Sequence, residues 1–127
     1  VAQLTTLHGR NSMAKAFAGD AAFPKVAGLA FGTGGHDPSN PVKDKALTAK
    51  QVDLFKRVIV IPIEAHSYPG DGIVRFSLTL THDKIPGNAF SEAALVDESG
   101  KALAIQTFGL KTIGPNEEFY YDWEEVC

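Results

Sequence analysis

Ser91-Glu92-Ala93-Ala94-Leu95-Val96-Asp97-Glu98-Ser99-Gly100-Lys101-Ala102-Leu103-Ala104-Ile105 is the stretch on which the fold turns. Two short apolar runs flank Asp97-Glu98-Ser99-Gly100, residue types that favour a turn. Asp and Ser side chains bond back to nearby main-chain amides, and Gly accepts a positive φ. The stretch reads as a β-hairpin. Upstream, Val74, Phe76, Leu78 and Leu80 alternate with Arg75, Ser77, Thr79 and Thr81, the period-two pattern of a strand with one buried face. Downstream, Glu117 to Val126 repeats the pattern, with Phe119, Tyr121 and Trp123 on one side and Tyr120, Asp122 and Glu124 on the other.

Further from the hairpin, the period stays at two from Val58. Ile59, Ile61, Ile63 and Ala65 share a face, and Pro62, which lacks an amide donor, places this strand at a sheet edge or a bulge. Pro69-Gly70-Asp71-Gly72 and Ile85-Pro86-Gly87-Asn88 are turns. Val26 to Phe31 reads as a buried strand, and Gly32 to Pro41, without an apolar side chain, as a loop. Leu47 to Arg57 fits a short helix with Thr48 as N-cap and Val52 and Phe55 facing inward. Thr5 to Asp20 reads as a helix: Leu4, Leu7, Ala14, Phe17 and Ala18 recur at three- and four-residue steps, Thr5 or Thr6 caps it, and Gly19-Asp20 stops it. About six strands after one or two helices give a single α+β domain over residues 1–127. It is mostly antiparallel β, a sandwich or a partly closed sheet, with an N-terminal helix at about 5–20 and a β-rich body at about 25–127.

The 127 residues suffice for one core without covalent staples. A formal net charge of −3 with scattered Lys and Arg supplies no field for nucleic acid or an anionic membrane. The single cysteine, Cys127, cannot form an internal disulfide. Val1 to Leu7 has neither the charged lead-in nor the apolar block of a signal peptide, and no run reaches the length of a membrane span. The chain opens at Val1 rather than Met, which leaves processing or excision from a longer protein open.

Chemistry-bearing patterns are few. Gly32-Thr33-Gly34-Gly35 follows a strand, but Asp37, Pro38 and Pro41 come next where a phosphate loop needs a helix, so the glycines read as turn formers. His66 and His82 flank one turn and would need a third ligand such as Asp83 to hold a metal; surface histidines at strand ends are the plainer reading. Ser67 and His66 are adjacent on a strand and point to opposite faces, so they cannot act as nucleophile and base. The pairs Glu117-Glu118 and Glu124-Glu125 read as solubilising or edge-protecting charges. The Phe119, Tyr121, Trp123 row suits either a core-facing strand or, if exposed, a platform for stacking sugars.

The chain also carries an ordered series: Gly9-Arg10-Asn11, Ala14-Lys15-Ala16, Ala18-Gly19-Asp20, Phe23-Pro24-Lys25-Val26 and Ala30-Phe31-Gly32-Thr33-Gly34-Gly35. Later come the step from Leu54 to Ile59, Ser91-Glu92, Leu95-Val96-Asp97, Gly100, Leu103-Ala104, Phe108, Lys111 and an aromatic–acidic strand. In this order the pieces resemble the phage tail-collar fibre and prophage baseplate-associated tail proteins. The resemblance implies a structural, non-enzymatic protein in the virion tail, and in the host cytoplasm during assembly. It implies other tail or baseplate proteins as partners and a homo-oligomer, with a trimer among the options. We expect no cofactor, no metal, no nucleic acid and no membrane insertion, and the resemblance carries over no catalytic residue. For the contacts we single out the amphipathic segment through Leu4, Leu7 and Phe17 and the loop through His36, Asp37 and Asn40. The alternative is a carbohydrate-binding β-sandwich module, with a small metal-dependent enzyme at His66 and His82 in third place.

Overall fold

A computed structural model describes residues 2–127. Its elements, in chain order, are β1 (Ala2–Thr5), α1 (Leu7–Ala18), β2 (Val26–Gly32), β3 (His36–Asp37), β4 (Asn40–Asp44), β5 (Arg57–Pro62), β6 (Ala65–Gly70), β7 (Ile73–Thr81), β8 (Ala89–Asp97), β9 (Ala102–Thr112) and β10 (Glu118–Val126). All the strand pairings are antiparallel. Five strands form one sheet in the order β1-β9-β8-β2-β5, three form a second in the order β10-β7-β6, and β3-β4 is a small separate hairpin. The fold is mostly antiparallel β with one N-terminal helix.

Alternation dictates how the two larger sheets meet. Leu29, Phe31, Ala93 and Leu95 from the five-stranded sheet share a core with Leu78, Leu80, Tyr121 and Trp123 from the three-stranded one. Phe31 meets Tyr121 edge-on at a ring-centroid distance of 5.2 Å, and Phe90 meets Phe108 and Phe119 in the same way. The opposite face of the large sheet is also covered: Ala30, Ala94, Val96 and Ile105 pack with Leu54 and Leu47. Burial on both faces explains why β8 is an almost unbroken apolar run instead of an alternating one.

The hairpin forms as its turn chemistry dictates. Gly100 sits at φ +84°, and Asp97 Oδ1 accepts hydrogen bonds from the Ser99 amide, the Ser99 hydroxyl and the Lys101 amide. Pro62 lies on β5, an edge strand of its sheet. In β10 the row Phe119, Tyr121, Trp123 points inward while Tyr120, Asp122 and Glu124 are exposed.

Four expectations are corrected. The run from Val58 to His66 is two strands rather than one. It breaks at Ile63-Glu64, where the chain passes from the large sheet to the small one. The loop Gly32 to Pro41 contains β3 and the start of β4. The described residues hold ten strands, not about six, because the short pieces β1, β3 and β4 carry little pattern. No helix forms between Leu47 and Arg57; the segment crosses the outer face of the large sheet and its amides are spent elsewhere, as described below.

Candidate interaction surface

Helix α1 begins where Thr6, fully buried, caps it. The Thr6 hydroxyl accepts the Gly9 amide at 3.0 Å and donates to the Ala102 carbonyl at 2.7 Å, so one side chain both starts the helix and ties it to β9. Gly19, in the left-handed region, ends the helix and donates its amide to Ala16.

The seam between α1 and the sheet is made of small residues. Gly9 and Ser12 are buried, and a β-carbon at Gly9 would collide with the Leu103 carbonyl oxygen. The Ser12 hydroxyl turns back to the His8 carbonyl at 2.8 Å. Beside this seam His8 Nε2 lies 2.7 Å from Asp97 Oδ2, joining the first turn of α1 to the hairpin turn.

Small residues on the inside leave the large apolar ones outside. Leu7 is 56% exposed and Phe17 is 92% exposed, with Met13 between them partly exposed. On a helix, Leu7, Arg10, Met13 or Ala14, and Phe17 follow one another at three- and four-residue steps and form one outward stripe. Leu4 does not belong to it: Leu4 is in β1, paired with Ile105 and half-buried. The apolar spacing extends about one turn beyond the N-terminus of the helix, because a short edge strand leads straight into the helix cap.

The second expected patch is an ordered platform. Glu92, wholly buried in β8, accepts hydrogen bonds from three main-chain amides: Gly34 at 2.9 Å, Phe55 at 2.7 Å and Lys56 at 2.8 Å. Its neighbour Ser91 accepts the Gly35 amide at 2.9 Å and meets His36 Nδ1 at 2.9 Å. On the far side, the Thr107 hydroxyl donates to the Lys45 carbonyl, and Gly109 admits the Val42 main chain where a β-carbon would come within 2.6 Å of its oxygen. Asp37 and Asn40 sit on the outside of this mount. Asp37 Oδ1 accepts the Ser39 amide and hydroxyl, and the hydrogen bond from the Ser39 amide is the main reason its carboxyl lies below the ordinary value. His36 is held inward by Ser91, whereas Asn40 and Val42 are exposed.

Glu92 was missed as an organising residue. The available signal was a lone carboxylate inside the apolar run Phe90 to Val96, since a buried charge requires strong hydrogen-bond partners.

The remaining candidates are not assembled into sites. His66 pairs in register with Phe76, six residues short of His82, so the two histidines lie roughly 20 Å apart along β7. His82 Nδ1 instead bonds the Ile113 carbonyl. No group of three His, Cys, Asp or Glu suited to a metal occurs among the described residues. Trp123 is fully buried, with Nε1 donating to Glu125 Oε1, and Tyr121 donates its hydroxyl to Gln106 Oε1; burial raises the Tyr121 pKa. Two of the three rings in that row, Tyr121 and Trp123, are thus withdrawn from solvent, and Phe119 is half-buried. No helix among the described residues is long and apolar enough to cross a membrane.

No model of a known protein family and no curated protein matches the chain.

Proposed function

We propose that this chain is a structural part of a phage or prophage tail, at the baseplate or at the attachment end of a fibre. It works through protein–protein contacts rather than catalysis, in the virion tail after assembly in the host cytoplasm. The observation that carries the reading is the inverted helix. α1 is anchored by Thr6, Gly9 and Ser12 and presents Leu7 and Phe17 to the outside. A helix that holds its own fold with small residues keeps its large apolar ones for another surface. Support also comes from the resemblance to tail-collar fibre and baseplate-associated proteins and from the rigid mounting of the 36–42 platform, as an adaptor requires.

The test is localisation on particles. Phage particles released from cells that carry the gene are labelled with antibody against the chain and viewed by electron microscopy. Label confined to the tail end is expected. Particles that lack the chain by mass spectrometry overturn the reading.

A further inference from the structure

Between α1 and the facing ends of the two larger sheets lies a cavity of about 250 Å³. Gly9, Met13, Val26, Val74, Phe76 and Leu103 are among the residues of its wall. Sites for small polar molecules place a few convergent hydrogen-bonding groups among apolar ones. Here the charged group on the wall is Glu125, and one of its oxygens is already engaged by Trp123 and Gln3. The cavity therefore suits a hydrocarbon group with no polar handle. An apolar cavity of about 150 Å³ is enough to take up a benzene molecule, so this one has room for a phenyl group with its methylene.

The same helix carries such a group next to the opening. Phe17 is one turn beyond Met13, which lines the cavity, and stands almost wholly in solvent. Charge follows the same arrangement. The first 19 residues contain Arg10 and Lys15 and no acid, whereas residues 117–127 contain five acids and no base. Arg10, on the Phe17 stripe, is exposed and forms no ion pair among the described residues, while Glu125 stands on the cavity wall.

We infer that Phe17 of one copy seats in the cavity of a second copy, with Arg10 brought to the acidic β10 side of that cavity. This deepens the structural reading above and rests on its assignment of α1 to an interface. Knob and hole are different patches, so the contact forms a reciprocal pair, a ring, or an open chain where the rotation does not close. Each geometry uses the same two surfaces, and the experiment reads the contact rather than the number of copies.

Sedimentation velocity of the purified chain over a wide concentration range, in reducing buffer, is the experiment. The expected result is reversible association that Phe17→Ala weakens about 30-fold or more, the range of an interface anchor. Val74→Phe, which fills the cavity from its half-buried rim, weakens it similarly. Alkylation of Cys127 on the cavity wall with N-ethylmaleimide does the same without altering the fold. Phe17 makes almost no contact within its own chain, so loss of folding does not cloud the first variant. A wild-type chain that stays monomeric throughout overturns the inference, as does association indifferent to Phe17→Ala. So does a monomer that carries an extractable lipid or other small apolar molecule, which would fill the cavity instead. None of these results touches the tail reading, which stands or falls on particle labelling.

Discussion

His8 Nε2 and Asp97 Oδ2 stand 2.7 Å apart, joining residues 89 positions apart in sequence where the first turn of α1 meets the β8–β9 turn. Burial alone raises the Asp97 carboxyl. The Ser99 hydroxyl, His8 and the amides of Lys101 and Ser99 outweigh it and bring the pKa from 3.8 down to about 2.

A carboxylate with a depressed pKa stabilises the folded state fully above its ordinary value and loses that contribution as the pH falls toward the depressed one. Asp97→Asn is therefore expected to cost on the order of 2 kcal/mol at pH 7. The gap between variant and wild type should narrow as the pH drops from about 4 to about 2. Urea unfolding at several pH values measures both, and a gap independent of pH would refute the assignment.

Glu92→Gln exchanges one acceptor oxygen for an amide donor facing main-chain N–H groups. Either Phe55 or the Gly34 and Lys56 pair loses its partner. The expected destabilisation is about 2–3 kcal/mol, the cost of a buried donor left unpaired beside a lost charged bond. Hydrogen exchange should speed up at Gly34, Phe55 and Lys56 before it does at the amides of β8.

Two effects compete at Gly9. Alanine favours a helix interior over glycine by about 1 kcal/mol, but the new β-carbon would run into the Leu103 carbonyl, which belongs to β9 and cannot swing aside. The collision wins, and Gly9→Ala should lower stability by about 2 kcal/mol. A rise in the thermal midpoint would show that α1 can lift from the sheet.

Trp123 is the sole tryptophan and is fully buried. Its emission should be blue-shifted and resist iodide until the protein unfolds. Soluble oligosaccharides should leave it unchanged. Quenching by sugar in the folded protein would restore the carbohydrate-binding alternative.

Strands with one wet face were legible in the sequence. β10 buries Tyr121 and Trp123, and the second half of β7 buries Leu78 and Leu80, at alternate positions, so period two shows the strand and its inner side together. The β8–β9 hairpin was legible from turn chemistry, because Asp97 and Gly100 act on their own neighbourhood. Long-range partners were not. Leu47 to Arg57 has a cap candidate and helical spacing, yet the Phe55 and Lys56 amides go to Glu92, more than thirty positions away, and Leu54 is drawn onto the large sheet. Of the expected contact residues, Leu7 and Phe17 were placed on the helix correctly, and Leu4 was not. The cavity had no sequence signal, since its walls come from five separate stretches of chain.

The mount beneath Asp37 and Asn40 is built mainly from main-chain atoms: the amides of Gly34 and Gly35, the carbonyl of Lys45 and the backbone of Val42. What holds the platform is thus largely indifferent to the side chains it displays. Asn40 and Val42, exposed and outside that bonding, are expected to accept other side chains while their spacing and orientation persist. A change of exposed side chain at these positions therefore requires no new architecture.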